Sequence, residues 1–187
     1  DGRDVVVTRE PGGSPFAESL REIILGGRLP PHGALAEALL FYAARADHLE
    51  ATIRPLLAAG RDVICDRFSD STRVYQGIAG RLPEDTLAAL EAVVVAPTRP
   101  DLTVLIDVPA EIGLERAGRR RAPGAGEADP YERREIEFHR RLRDGFLAIA
   151  HAEPQRCVVI DGTLPEEQVA AAVWKLAEAR LAIGSAT

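Results

Sequence analysis

Short runs of β-branched residues alternate along the chain with longer segments of helical period. Asp4-Val-Val-Val-Thr8, Asp62-Val-Ile-Cys65, Leu102-Thr-Val-Leu-Ile-Asp107 and Cys157-Val-Val-Ile160 have almost no polar alternation, so they read as strands covered on both faces. Ser14 as N-cap and Pro15 at the first helical position predict a helix that ends near Gly26-Gly27. A longer helix is predicted over about 34–59, with Pro55 as a kink or boundary and Gly60 closing it. Further helices are predicted over Ser69–Ile78, over Glu84–Val95, from Ala110, over Tyr131–Ala152 and from Pro165. This alternation predicts an α/β protein built on a parallel sheet with helices on both faces.

Composition changes that picture little and excludes a good deal. The 187 residues are enough for one domain with a substantial core, and 46% apolar with 28% charged residues is globular, not disordered, composition. No apolar run reaches the ~20 residues of a membrane span, and the start lacks the pattern of a signal peptide. Cys65 and Cys157 lie far apart, which suits buried thiols in a reducing cytosol better than a disulfide or a metal spacing. The net charge of −6 argues against a nucleic-acid coat. Basic character is nearly all arginine, Lys175 being the sole lysine, and arginines crowd between Arg116 and Arg143. An acidic chain with one such stretch points to a local anion site.

Ligands of open parallel sheets sit beyond the carboxyl ends of strands. Polar clusters follow three of the predicted strands: Thr8-Arg-Glu-Pro-Gly-Gly13, Asp66-Arg-Phe-Ser-Asp-Ser-Thr72 and Asp161-Gly-Thr163. Polar residues after strands also simply make turns. An arginine directly after a buried strand, as at Arg67, is a costly neighbour for a core unless it faces an anion or a carboxylate. Phe41 and Arg45 are four apart on the long helix, so ring and guanidinium share a face that suits a planar base, or equally a core ring beside a surface charge. Ser71 with Tyr75 and Thr72 with Gln76 repeat that spacing and together suggest one wall of a polar pocket. Arg116, Arg119, Arg120 and Arg121, followed by Ala122-Pro-Gly-Ala-Gly126 and Asp129-Pro-Tyr-Glu132, read either as a solvated face or as a cationic flap over about 116–132.

In order and spacing these segments resemble bacterial thymidylate kinase. The resemblance rests on Thr8-Arg-Glu-Pro-Gly-Gly13, Leu40-Phe-Tyr-Ala-Ala-Arg45, Asp66-Arg-Phe68 with Asp70-Ser-Thr72 and Tyr75-Gln76, Arg99-Pro-Asp-Leu102, and Asp129-Pro-Tyr-Glu132, and it extends from near residue 2 to about residue 175. It implies a magnesium-dependent transfer of the ATP γ-phosphoryl group to dTMP, giving dTDP, by a cytoplasmic homodimer that needs no nucleic acid or membrane. Phe41 would stack on thymine, Arg45 would meet its carbonyl edge, Thr72 would address the base, and Tyr75 would lie against the sugar with Ser71 and Gln76 completing the wall. Arg67, helped by Arg21, would bind the substrate phosphate, and Glu10 would lie at the phosphate and sugar end. Arg116, Arg119, Arg120 and Arg121 would screen the transferring group. Tyr131 would line the substrate side with Asp129 and Glu132, two carboxylates that would orient arginines or stand on the magnesium side. Asp161, Gly162 and Thr163 would approach adenine, and Asp66 is the candidate magnesium ligand.

The chain departs from the family pattern at Pro130, where the commonest flap pattern has arginine, and more widely at its start. The family's Gly-x-x-x-x-Gly-Lys-[Ser/Thr] loop, with the strand before and the helix after it, has no counterpart in these 187 residues. The expectation is therefore a single nucleoside monophosphate kinase-like domain over 1–187, N-terminally incomplete and inactive by itself, cut from a longer active chain. The alternatives are a kinase for another nucleoside monophosphate or a deoxynucleoside, and a non-catalytic nucleotide-binding remnant.

Overall fold

The computed structural model of the chain describes residues 4–26, 30, 32–120, 131 and 134–181. They fall into two compact units, one running to Arg99 and taking in Tyr131, the other beginning at Pro100.

In the first unit, strand β1 (Val5–Arg9) leads through the Pro11-Gly-Gly13 turn into α1 (Pro15–Leu25). Ser14 caps that helix as its sequence predicts: its backbone is extended and its hydroxyl accepts from the Ala17 N–H. Helix α2 (Ala34–His48) does not stop at Pro55. It passes through a π-helical turn (Leu49–Ile53) into α3 (Arg54–Ala58), the Arg54 N–H donating to the Leu49 carbonyl. A proline has no N–H and its ring crowds the carbonyl four residues back, and the wider turn just before Pro55 accommodates both effects without a break. Gly60, at φ +74°, then ends the segment, and β2 (Asp62–Asp66) follows. The predicted Ser69–Ile78 helix is present as α4 (Ser69–Thr72) continuing into a π-helical turn (Arg73–Ala79), and α5 (Glu84–Val94) closes the unit. Ala17, Leu20, Ile24 and Ala44 form one buried cluster between α1 and α2; Tyr42, Leu87 and Val95 form another with Phe68 against it.

The second unit holds β3 (Thr103–Asp107), α6 (Ala110–Arg120), α7 (Ile136–Ala152), β4 (Cys157–Asp161) and α8 (Glu166–Arg180). Helix α7 begins five residues later than its sequence predicts: Glu135 is extended (ψ 153°), and the first acidic residue favourable to a helix start is Glu137.

Where the sequence predicts one sheet, the described residues make two parallel pairs. β1 lies beside β2 in the register Val5↔Asp62 to Arg9↔Asp66, and β3 lies beside β4 from Thr103↔Cys157 to Asp107↔Asp161. Both registers bring the last residues of paired strands level, so the polar segments after them start from common edges. Val7 and Ile64 remain 74% and 58% exposed, leaving apolar side chains of the first pair in the open. Among the described residues no helix is long and apolar enough to cross a membrane.

Candidate active site

The centre of the first unit's polar cluster is a buried arginine. Arg45 reaches inward from α2 with only 2% of its surface exposed. Its Nε donates to Glu10 Oε2 at 2.7 Å and its Nη2 to Thr72 Oγ1 at 3.1 Å. The guanidinium lies 4.8 Å from the Tyr42 ring centroid and 5.3 Å from that of Phe68. Nη1 is buried and has no hydrogen-bond partner among the described residues. An orphaned buried donor costs about 1–3 kcal/mol, so its persistence marks a position where an acceptor belongs.

Glu10, expected at the phosphate and sugar end, is instead a buried counter-ion. One of its oxygens serves Arg45, and the other lies 3.2 Å from His48 Nδ1. His48 itself is fully buried, and its Nε2 is 2.8 Å from Thr8 Oγ1. The turn closes tightly on this ring: a Cβ at Gly13 (φ +86°) would stand 2.2 Å from His48 Nε2. Ser14 donates to Asp47 and Thr52 to the Gly13 carbonyl, so α2 and the turn after it clamp the segment at several points.

A second group gathers at the ends of β1 and β2. Arg67 is exposed, in the left-handed region at φ 64°, with its guanidinium 5.6 Å from the Tyr75 ring centroid. Arg21 donates from Nη1 to the Pro11 carbonyl at 2.7 Å. Burial pulls the Arg21 guanidinium below its ordinary value, the neighbouring charges of Arg9 and Arg67 pull the same way, and Glu18 and Asp66 oppose them. Glu18 is held below the usual carboxylate range chiefly by the Gly13 N–H, which donates at 3.0 Å, and then by Arg9. With Arg9 and Arg67 both close enough to act on Arg21, the three guanidinium groups form a natural cradle for an anion.

The four residues of the predicted wall differ in burial. Thr72 and Gln76 are buried to 1% exposure, while Ser71 and Tyr75 are half-buried. Gln76 donates to Glu37 Oε2 at 2.8 Å, the Tyr131 hydroxyl donates to Glu37 Oε1 at 2.9 Å, and the Tyr131 ring meets Tyr75 edge-on at 5.1 Å. Phe41 is half-buried against the α1–α2 cluster. From below, Glu91 of α5 accepts from Tyr42 (2.9 Å) and Ser69 (2.8 Å). Burial and the Glu91 charge push the Tyr42 phenol well above its ordinary value.

In the second unit Arg116 does not stand free as a flap arginine: its Nη1 donates to the Gly162 carbonyl at 2.6 Å. Arg119 pairs with Glu115 on the surface. The side chain of Arg120, together with Arg121, Asp129 and Glu132, lies outside the described residues. Asp161 accepts from the backbone and hydroxyl of Thr163, an arrangement that keeps its carboxylate below the ordinary range. A Cβ at Gly162 would stand 2.6 Å from Ile106 and 2.7 Å from Val108, so close packing on β3 requires glycine there. Asp107 is gripped by Arg143 through two hydrogen bonds of 2.7 and 2.8 Å.

Asp66, the candidate magnesium ligand, is exposed and belongs to no cluster of three metal-ligating groups among the described residues. The one such cluster described, Glu10, His48 and Cys65, has its donors within 4.8 Å of one another. It is already neutralised by Arg45, and burial pushes the Cys65 thiol far up, away from the thiolate a metal needs. His48, Glu37 and Arg143 were not singled out from the sequence. Only His48 carried a usable signal, standing three residues after Arg45 on the same helix face.

Parallel strands and helices, with guanidinium groups gathered at the carboxyl ends of β1 and β2, define the class as a nucleotide-handling α/β enzyme. The family model described as thymidylate kinase matches residues 1–173. A thymidylate kinase of Nitrobacter winogradskyi is 53% identical over 169 residues, covering 90% of this chain and 73% of that protein. One from Caulobacter vibrioides is 50% identical over 182 residues, covering 97% and 85%. The crystal structure of thymidylate kinase from Ehrlichia chaffeensis superposes with a TM-score of 0.71 at 34% identity, covering 92% of this chain and 79% of that one. The chain belongs to the thymidylate kinase family, and its reaction is the phosphorylation of dTMP with ATP as co-substrate.

Proposed function

We propose that the first unit is the dTMP-binding part of this kinase, with thymine received at Arg45 and the acceptor phosphate at Arg67 and Arg21. The observation that carries the reading is the buried Nη1 of Arg45, a donor with no acceptor among the described residues. A base carbonyl supplies that acceptor. Thr72 shares the site through its hydrogen bond to Arg45, and Phe41, four residues before Arg45, offers a ring on the same helix face. Tyr75 with Tyr131 borders the sugar, Ser71 and Gln76 completing the side. Phosphoryl transfer spreads negative charge over equatorial oxygens, and preorganised guanidinium groups stabilise it without reorganising. Arg67, Arg21 and Arg9 supply that field on the acceptor side. Arg116, Arg119, Arg120 and Arg121 remain our candidates for screening the γ-phosphate, and Asp161, Gly162 and Thr163 for the adenine side.

Magnesium would accompany ATP and would supply neutralisation of the charge on its phosphates. Asp66 alone among the described residues does not build a site for it. A homodimer fits the exposed apolar side chains of α1 (Phe16, Ile23) and α2 (Leu35, Leu39), and Cys65 and Cys157, outside any disulfide among the described residues, fit a reducing cytoplasm.

Comparing turnover of dTMP, dUMP, dCMP and thymidine tests the reading. Preference for dTMP, abolished by Arg45→Ala, is expected. Equal turnover of dCMP, which presents an amino group where thymine has a carbonyl, would remove Arg45 from the base site.

A further inference from the structure

Three positions of the Thr8-Arg-Glu-Pro-Gly-Gly13 turn converge on one imidazole. Thr8 and Glu10 hydrogen-bond its two nitrogens, and Gly13 lacks a side chain where the ring stands. A carboxylate only accepts, so Nδ1 carries the proton toward Glu10; in the neutral ring Nε2 then accepts from the Thr8 hydroxyl. From Glu10 the connection runs on through Arg45 to Thr72, linking β1, α2 and α4 by four consecutive polar contacts. Every member but Thr8 is buried. An arginine buried this deeply can turn its fork toward several acceptors, and which N–H stays free depends on how its carboxylate partner is held. The second oxygen of Glu10 is tied to His48, which removes that freedom.

We propose that His48 is a positioning residue for nucleotide binding: through Glu10 it fixes the Arg45 guanidinium in the orientation that leaves Nη1 for the base carbonyl. The proposal rests on the reading of Arg45 as the base contact. His48 touches neither substrate nor Arg45 in this scheme, and its effect passes entirely through the carboxylate between them.

Equilibrium dTMP binding to the full chain tests this, in a cycle of His48→Ala, Arg45→Ala and the double variant, with His48→Asn and His48→Gln alongside. Asparagine places its amide nitrogen near the position of Nδ1 and restores the donor to Glu10; glutamine reaches the Thr8 side instead. His48→Ala is expected to weaken dTMP binding about 5- to 20-fold in the natural background and less than about 2-fold once Arg45 is gone. His48→Asn should recover most of the affinity and His48→Gln little. Urea unfolding of each variant keeps folding and binding apart, and should His48→Ala fail to fold, the Asn and Gln pair decides alone. Equal losses in both backgrounds, or rescue by Gln rather than Asn, would overturn the proposal and mark His48 as a packing residue. If Arg45→Ala binds dTMP as the natural chain does, the base-contact reading fails, and the positioning role fails with it.

Discussion

Arg45 and Glu10 meet at 2.7 Å in a site where neither exposes more than 5% of its surface. A pair this deep is sensitive to the loss of either member, because the survivor is left charged in a poorly solvating place. Glu10→Ala should therefore destabilise the fold by about 3–5 kcal/mol in urea unfolding, far more than a surface carboxylate would. A loss under about 1 kcal/mol would mean that water reaches Arg45.

Gly13 and Gly60 both occupy the left-handed region, at φ +86° and +74°. They differ in surroundings: Gly60 has open space where a Cβ would stand, whereas Gly13 faces His48 and Thr8. Gly60→Ala should cost about 1 kcal/mol of backbone strain, and Gly13→Ala clearly more, with weakened dTMP binding besides. Matching losses in chemical denaturation would show that the His48 ring can move aside.

Arg67→Ala removes a cation from the proposed acceptor-phosphate cradle. It should lower kcat/KM for dTMP by an amount corresponding to about 2–4 kcal/mol of transition-state stabilisation, with native stability little changed because the side chain is exposed. Steady-state kinetics at saturating ATP provide the check, and an unaltered kcat/KM would exclude the assignment.

Asp107 offers a pH-dependent prediction. Hydrogen bonds from Arg143 hold its carboxyl below the usual range. A depressed folded-state value means the pair contributes above the unfolded pKa of about 3.9 and is lost as pH falls through the folded value. Arg143 is partly exposed, so the contribution at neutral pH is under about 1 kcal/mol. The stability difference between the natural chain and Arg143→Ala should be constant from pH 7 to 5 and shrink below about pH 4. A difference that grew on acidification would reverse the assigned direction.

Much of this was legible before any coordinates. Valine and isoleucine runs marked all four strands, Ser14-Pro15 marked the start of α1, and the four-residue spacing of Phe41 and Arg45 put both on one helix face. What stayed hidden depends on contacts between distant residues. Glu10 looked like a ligand-facing carboxylate because local sequence cannot show that Arg45 and His48, 35 and 38 positions away, take up both its oxygens. The hydrogen bond of Arg116 was equally hidden, because its partner is a backbone carbonyl 46 residues downstream. Pro55 suggested a break because local rules count the lost hydrogen bond but not the wider turn that absorbs it.

The central claim is that a nucleotide base completes the hydrogen bonding of Arg45, and a crystal structure with dTMP bound tests it most directly. The account predicts a thymine carbonyl within hydrogen-bonding distance of Nη1, the Phe41 ring against the base, and the phosphate between Arg67 and Arg21. A nucleotide seated elsewhere, with Nη1 still lacking an acceptor, would contradict it.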